Sequence, residues 1–137
     1  DAGDEQSLEI ANLLKDITLR VNNAIVESYG LQDRVYSDGV GIVRWPIGLE
    51  LSPHADNANN DGSSNGLDWR DFGTIVYLND NFSGGEIYYS NLNLSIKPIA
   101  CSMIVHPANE VYRHGVAEVI SGTRYILSAF LTLPPIK

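Results

Sequence analysis

Cysteine is almost absent from this sequence, and long apolar runs are missing. Cys101 stands alone, so the chain cannot form an internal disulfide, which favours a reducing, cytoplasmic environment. No apolar run approaches the roughly 20 residues that cross a bilayer, so we expect no membrane partner. The hydrophobic share of 44% and the length of 137 residues suit one globular domain over residues 1–137.

Basic residues are also few. The chain carries 9 Lys and Arg against 17 Asp and Glu, which gives a net charge of −8. A surface of this sign repels phosphate backbones, so nucleic acid is disfavoured as a partner.

Hydrophobic periodicity divides the chain into a helix and a run of strands. From Asp4 to about Tyr29 apolar side chains recur at helical spacing, Asp4 or Ser7 suits the start, and Gly30 suits the end. Residues 34–133 instead show short β-branched and aromatic runs separated by turn residues. The expected strands are 34–45, 49–56, 71–79, 85–90, 93–98, 100–106, 113–119 and 122–133. The pattern predicts a mainly β protein in which an N-terminal helix (1–30) supports a jelly-roll, or double-stranded β-helix, barrel (34–133).

The second predicted strand has a polar face. Alternation places His54 and Asp56 with Glu50 and Ser52, whereas Leu51 belongs to the opposite face. A polar face turned into a barrel implies a wet, functional cavity. His54 and Asp56 could provide two ligands to a divalent metal there.

A third ligand has to come from a neighbouring strand, and two histidines are available. His114 begins the seventh predicted strand, which lies beside the second in a jelly roll, whereas His106 precedes a proline and is expected outside the site. Two histidines and one carboxylate form the facial triad of non-haem iron(II) oxygenases. A purely structural role for these residues stays open, because a His-x-Asp pair more often forms a surface hydrogen bond and a single histidine is more often structural.

Arg124 favours the functional interpretation. The last predicted strand is largely apolar on both faces, with Ile126, Ser128 and Phe130 on the side of Arg124. A buried guanidinium needs a partner, because an uncompensated charge in the interior is very costly. That partner is either an internal acid or the carboxylate of a ligand, which the guanidinium can bind through two hydrogen bonds.

Three segments together resemble the signature sequences of iron(II)- and 2-oxoglutarate-dependent dioxygenases, specifically the prolyl 4-hydroxylase-like branch. They are PHAD (53–56), TIVYLNDNFSGGEIYY (74–89) and RHGVAEVISGTRYILSAF (113–130). The resemblance extends over about residues 34–133. It implies that His54, Asp56 and His114 bind iron. It also implies that Arg124 binds the distal carboxylate of 2-oxoglutarate and that Tyr77 hydrogen-bonds the same cosubstrate.

The resemblance implies a reaction as well: hydroxylation of an unactivated C–H bond with Fe(II), 2-oxoglutarate and O2, with ascorbate as an optional reductant. The expected substrate is a prolyl residue in a peptide, or a small molecule. Three alternatives stay open, and one is a purely structural domain, whose stability would be the same with and without iron. A demethylase of the same superfamily conflicts with the acidic charge. A cupin-like metal- or ligand-binding module without turnover would have no use for a buried Arg124.

The sequence departs from these relatives on the substrate side. Trp45 stands nine residues before His54, where many relatives have tyrosine, and an indole donates a hydrogen bond but cannot act as a phenol. Leu51 occupies a position that is commonly aromatic. The polar segment 57–71, with Trp69 and Arg70, is expected to act as a lid over the substrate or else to be a disordered surface loop.

Overall fold

The computed structural model describes residues 2–134 and shows one long helix followed by ten strands. Helix α1 spans Ala2–Ser28 and a short 3-10 helix spans Glu110–Tyr112. The strands are β1 Tyr36–Trp45, β2 Leu51–His54, β3 Phe72–Tyr77, β4 Ser83–Gly84, β5 Ile87–Tyr89, β6 Leu94–Ile96, β7 Met103–Pro107, β8 His114–Val116, β9 Val119–Ser121 and β10 Arg124–Thr132. Within residues 2–134, no helix combines the length and the hydropathy needed to cross a membrane.

Helix α1 ends where the sequence predicts but begins earlier. Gly30 adopts a positive φ of 61°, and the Leu31 N–H donates to the Val26 carbonyl, which closes the helix in a Schellman motif. The prediction that Asp4 or Ser7 caps the start is wrong, because both lie inside the helix. The Ser7 hydroxyl donates back to the Gly3 carbonyl at 2.8 Å.

The strands form two four-stranded antiparallel sheets that face each other. The larger sheet, which has the longer strands, has the order β1-β10-β3-β7, and the smaller sheet has the order β2-β8-β5-β6. Strands β4 and β9 form a separate two-stranded sheet. Each of the eight predicted strands corresponds to at least one observed strand, and the mainly β jelly-roll prediction is confirmed, although the sheets do not close into a continuous barrel. The predicted strand 113–119 is divided, because the chain leaves β5 after Val116 and then pairs β9 with β4.

Two hydrophobic clusters hold these layers together. One lies between the last turns of α1 and the outer face of the larger sheet. Its buried members are Val21, Ile25, Val35, Phe72 and Leu131. The other fills the space between the two sheets. Its buried members are Ile75, Tyr77, Ile87, Tyr89 and Ile126. The second cluster borders the cavity that contains the predicted site.

A β-bulge in β2 changes which side chains face this cavity. Leu51 pairs with Val116 and His54 pairs with His114, so three steps along β2 match two steps along β8. Leu51 therefore lines the same cavity as His54 and Asp56. The predicted uninterrupted polar face is wrong for this reason, since strict alternation put Leu51 on the opposite side.

Candidate metal centre

The structure brings His54, Asp56 and His114 together at one end of the cavity. Asp56 Oδ1 lies 3.5 Å from His54 Nε2 and 3.8 Å from His114 Nε2. One potential ligand atom from each of these residues lies within 4.8 Å of the others, and no other group of this kind occurs among the described residues. The arrangement follows from the direct pairing of His54 with His114 across β2 and β8. Two imidazoles and a carboxylate at this spacing can hold a divalent metal.

The backbone orients both imidazoles. His54 Nδ1 lies 3.1 Å from the Ser52 carbonyl, and His114 Nδ1 lies 3.0 Å from the Tyr112 carbonyl. A carbonyl only accepts hydrogen bonds, so each Nδ1 carries the proton and donates it. Each Nε2 therefore keeps its lone pair on the side of Asp56, as a metal ligand requires.

The site keeps its carboxylate ionised and one of its histidines neutral. Burial alone would raise the pKa of Asp56, but the hydrogen bond with His106 and the nearby His54 imidazole lower it well below the usual range. Burial, reinforced by nearby His106, lowers the pKa of His114 to about 4. The neighbouring Asp56 carboxylate, which would accept a hydrogen bond from protonated His54, raises the pKa of His54 against the opposing effect of burial. An anionic carboxylate beside a neutral imidazole is the protonation state in which these groups bind metal.

The expectation that His106 lies outside the site is wrong, because this side chain contacts Asp56. His106 is buried in the cavity wall, with its Nε2 3.1 Å from Asp56 Oδ2 and its Nδ1 2.8 Å from the Tyr89 hydroxyl. Its ring centroid lies 4.3 Å from that of His114. The sequence holds no signal for this contact, because it depends on the alignment of β2, β5 and β7 across two sheets.

Arg124 lies in the same cavity, fully buried and without a hydrogen-bond partner among the described residues. All three guanidinium nitrogens are buried and unsatisfied. Burial lowers its pKa, while the neighbouring Tyr77 phenol favours the charged form. An internal acid partner was one of two expectations for this residue. In the described part of the chain no acidic side chain pairs with Arg124, so its guanidinium presents a positive charge to the cavity.

Two aromatic donors accompany Arg124. Its guanidinium carbon lies 5.0 Å from the Trp45 ring centroid and 5.3 Å from that of Tyr77. The Trp45 Nε1 and the Tyr77 hydroxyl are buried and, within residues 2–134, lack hydrogen-bond partners. Burial raises the pKa of Tyr77, which keeps the phenol protonated as a donor. These groups form a set of unsatisfied donors that suits a carboxylate.

Segment 57–71 has its own hydrogen bonds beside the site. Asn57 Nδ2 donates to the Arg70 carbonyl at 3.2 Å, and Asn65 Nδ2 donates to the Asp56 carbonyl at 3.3 Å. The Arg70 guanidinium carbon lies 3.4 Å from the ring centroid of Phe130, which lines the cavity. The segment thus borders the site, and both a lid function and a disordered surface loop stay predictions.

Comparisons with known proteins identify the family. A sequence profile of the 2OG-Fe(II) oxygenase superfamily matches residues 40–132, which is more than half of the chain and includes the whole cluster of His54, Asp56 and His114. The chain therefore belongs to this superfamily of iron- and 2-oxoglutarate-dependent oxygenases.

Individual relatives point to the prolyl hydroxylase-like part of the superfamily. Human prolyl 3-hydroxylase 2 is 32% identical over 95 residues, which cover 61% of this chain and 13% of the human protein. A PKHD-type hydroxylase of Prochlorococcus marinus (strain MIT 9215) is 28% identical over 115 residues, which cover 81% of this chain and 48% of that protein. The chain thus corresponds to less than half the length of these relatives.

A solved structure establishes the fold independently. The viral collagen prolyl hydroxylase of Paramecium bursaria Chlorella virus-1, solved with 2OG, superimposes with a TM-score of 0.74. The superposition covers 90% of this chain and 74% of that chain at 18% identity. Similarity at this level of identity shows that the two proteins share the jelly-roll architecture.

Proposed function

We propose that this chain is a dioxygenase domain that uses Fe(II), 2-oxoglutarate and O2 to hydroxylate an unactivated C–H bond, on a prolyl residue of a peptide or on a small molecule. One observation carries the proposal: the converging atoms of His54, Asp56 and His114 share a cavity with the unsatisfied cation of Arg124. A metal-binding module without turnover would have no use for that buried cation.

In this proposal His54, Asp56 and His114 hold the iron. Their donor set of two imidazoles and one carboxylate suits Fe(II) and leaves coordination positions open. The bound iron and cosubstrate supply the oxidative chemistry that amino acid side chains cannot perform. The protein contributes ligand orientation through the Ser52 and Tyr112 carbonyls, which direct both Nε2 atoms towards Asp56.

Arg124 would bind the distal carboxylate of 2-oxoglutarate. Its guanidinium provides two parallel donors that match a carboxylate, and the Tyr77 hydroxyl and Trp45 indole are further donors beside it. The remaining cavity wall excludes water, since most of its other side chains are apolar. They include Leu51, Ile75, Val116, Ile126 and Phe130. In such an enclosure a charge-assisted hydrogen bond is stronger than at an exposed surface.

The names of the relatives support the substrate class. Prolyl 3-hydroxylase 2 and the viral collagen prolyl hydroxylase act, by name, on prolyl groups, and the second name specifies collagen. A prolyl residue in an exposed peptide is therefore the first substrate to test, followed by small molecules. The single-domain organisation over 1–137, the cytoplasmic location and any ascorbate requirement stay predictions.

Metal and cosubstrate titrations test this function. Wild-type protein should bind Mn(II), used as a redox-stable substitute, and should then bind 2-oxoglutarate in the calorimeter. His54→Ala, Asp56→Ala and His114→Ala should each lose Mn(II) binding and remain folded, whereas the exposed control Asp33→Ala should keep it. With Fe(II), 2-oxoglutarate and O2, succinate should form faster when proline-containing peptides are added. Wild-type Mn(II) affinity in His114→Ala would show that the ligand set is wrong.

A further inference from the structure

A row of three buried, hydrogen-bonded side chains ends at Asp56. It runs from the Tyr89 hydroxyl to His106 Nδ1 at 2.8 Å, and from His106 Nε2 to Asp56 Oδ2 at 3.1 Å. All three residues are less than 6% exposed, so solvent cannot substitute for either hydrogen bond. Each member comes from a different part of the chain: the residues after β2, strand β5 and strand β7.

The chemistry of the three groups gives these hydrogen bonds a direction. A carboxylate only accepts, so His106 Nε2 must donate to Asp56 Oδ2. The other nitrogen of a neutral imidazole then accepts, so the Tyr89 hydroxyl donates to His106 Nδ1. The Asp56 carboxylate thereby selects the tautomer of His106 that is protonated at Nε2, and the Tyr89 hydroxyl supports that tautomer by donating to Nδ1.

The two carboxylate oxygens of Asp56 consequently have different surroundings. Oδ2 is engaged by His106, whereas Oδ1 is the atom nearest to His54 Nε2 and His114 Nε2. Binding of a metal through both oxygens would require Oδ2 to share or give up its hydrogen bond with His106. The contact with His106 therefore favours binding through Oδ1 alone.

The backbone beneath this contact is adapted to it. Gly73 in β3 pairs directly with His106, and a Cβ at Gly73 would lie 2.5 Å from Asp56 Oδ2 and 2.7 Å from His106 Nε2. Any side chain at residue 73 would thus occupy the place of the hydrogen bond. A glycine at this point of a buried strand leaves the space that the Asp56–His106 pair fills.

We propose that His106, supported by its hydrogen bond with Tyr89, is a positioning residue that fixes Asp56 as a one-oxygen metal ligand. This inference rests on the proposed function, because it assigns Asp56 to the metal. Hydrogen-bonded partners of metal-binding carboxylates typically change metal affinity by about 10- to 100-fold when they are removed. We expect an effect of that size here.

The test measures Co(II) affinity and the visible Co(II) spectrum of the whole chain. His106→Phe keeps a ring and removes the donor, so its affinity should fall about 10- to 100-fold and its spectrum should change. His106→Gln restores an N–H donor and should recover most of the affinity. Tyr89→Phe should give a smaller loss. Tyr88→Phe is the matched control, since it removes a hydroxyl from the adjacent residue, on the other face of β5, and should match wild type.

The outcomes separate this inference from the function on which it rests. Wild-type protein that binds no Co(II) would overturn both. Normal Co(II) affinity and an unchanged spectrum in folded His106→Phe would overturn the positioning role alone. If His106→Phe does not fold, the remaining comparison decides: losses in Tyr89→Phe but not in Tyr88→Phe support the role, and equal behaviour of these two variants contradicts it.

Discussion

Arg124 combines two properties that rarely occur together in a single side chain: full burial and a lack of hydrogen-bond partners among the described residues. An isolated buried cation destabilises a protein, so in the proposed function the partner of Arg124 is a bound carboxylate and not an internal acid. The Trp45 and Tyr77 rings lie beside it, and the cavity opens in front of it. Its substitution should therefore affect ligand binding and stability in opposite ways.

Arg124→Ala should weaken 2-oxoglutarate binding by about 2–5 kcal/mol, because one side of a buried charged pair is removed. Stability without the cosubstrate should hold or rise, and metal affinity should not change. Arg124→Lys should keep part of the binding as a point charge. Calorimetric titration of the Mn(II)-loaded protein and a thermal melt check this. The control is Arg44→Ala, an exposed arginine of β1. A large loss of stability with unchanged cosubstrate affinity would show that Arg124 has a structural role instead.

A substitution at Gly73 tests the Asp56–His106 contact without removing a polar group. Gly73→Ala should displace the Asp56–His106 hydrogen bond, since the new Cβ would lie 2.5 Å from Asp56 Oδ2. We expect metal affinity to fall at least tenfold in this variant. Gly41→Ala is a matched control on β1, where the nearest atom to the new Cβ is the Ser128 carbonyl oxygen at 3.9 Å. Equal Mn(II) affinities for the two variants would contradict the prediction.

Among the individual elements, helix α1 shows how packing selects one part of an amphipathic segment. Residues 3–13 are exposed, whereas Val21 and Ile25 are buried against the larger sheet. The helix therefore supports the sheet through its last turns. In strand β2 a local irregularity changes which side chains line the cavity, because one bulge turns Leu51 into it next to His54.

Ile25→Ala should reduce the free energy of unfolding by about 2–5 kcal/mol, the usual range for a buried isoleucine, because Ile25 is 0% exposed. Leu13→Ala, in the same helix but 60% exposed, should change it by less than about 0.5 kcal/mol. Urea unfolding of both variants measures the difference. Similar losses in the two would mean that the N-terminal half of α1 also has a packing partner.

The stability of the protein as a whole should depend on pH through the buried site. The folded protein resists protonation of His114, whose pKa falls from the usual 6.5 to about 4. Between these values the unfolded chain binds the extra proton, so stability falls as the pH drops from about 6.5 to about 4. Asp56, whose pKa is lowered, adds a further loss below about 3.8. His54, whose pKa is raised, has the opposite sign and acts above 6.5.

Urea unfolding of metal-free protein across pH 4–7 checks this expectation. Wild type should lose on the order of 3 kcal/mol over the window, and His114→Gln should lose much less. His54→Gln should keep the slope below pH 6.5, since its contribution is constant there. A slope that survives intact in His114→Gln would place its origin in other groups.

Features that depend only on residues close together in the sequence could be predicted without the structure. The spacing of apolar side chains reflects the local geometry of a helix or a strand. The helix, its end at Gly30 and most of the strands can therefore be predicted from the sequence. The i, i+2 spacing likewise places His54 beside Asp56. The need of Arg124 for a charged partner follows from its apolar strand alone.

The remaining features depend on contacts between segments that are distant in sequence. His106 reaches Asp56 only because Gly73 leaves space and β7 pairs with β3 in one particular register. Leu51 faces the cavity because β2 gains one residue against β8. Only the packing of the surrounding strands shows that Arg124 has no hydrogen-bond partner among residues 2–134. A one-residue change of register reverses the face of every side chain in a strand, and local sequence does not determine which register long-range packing selects.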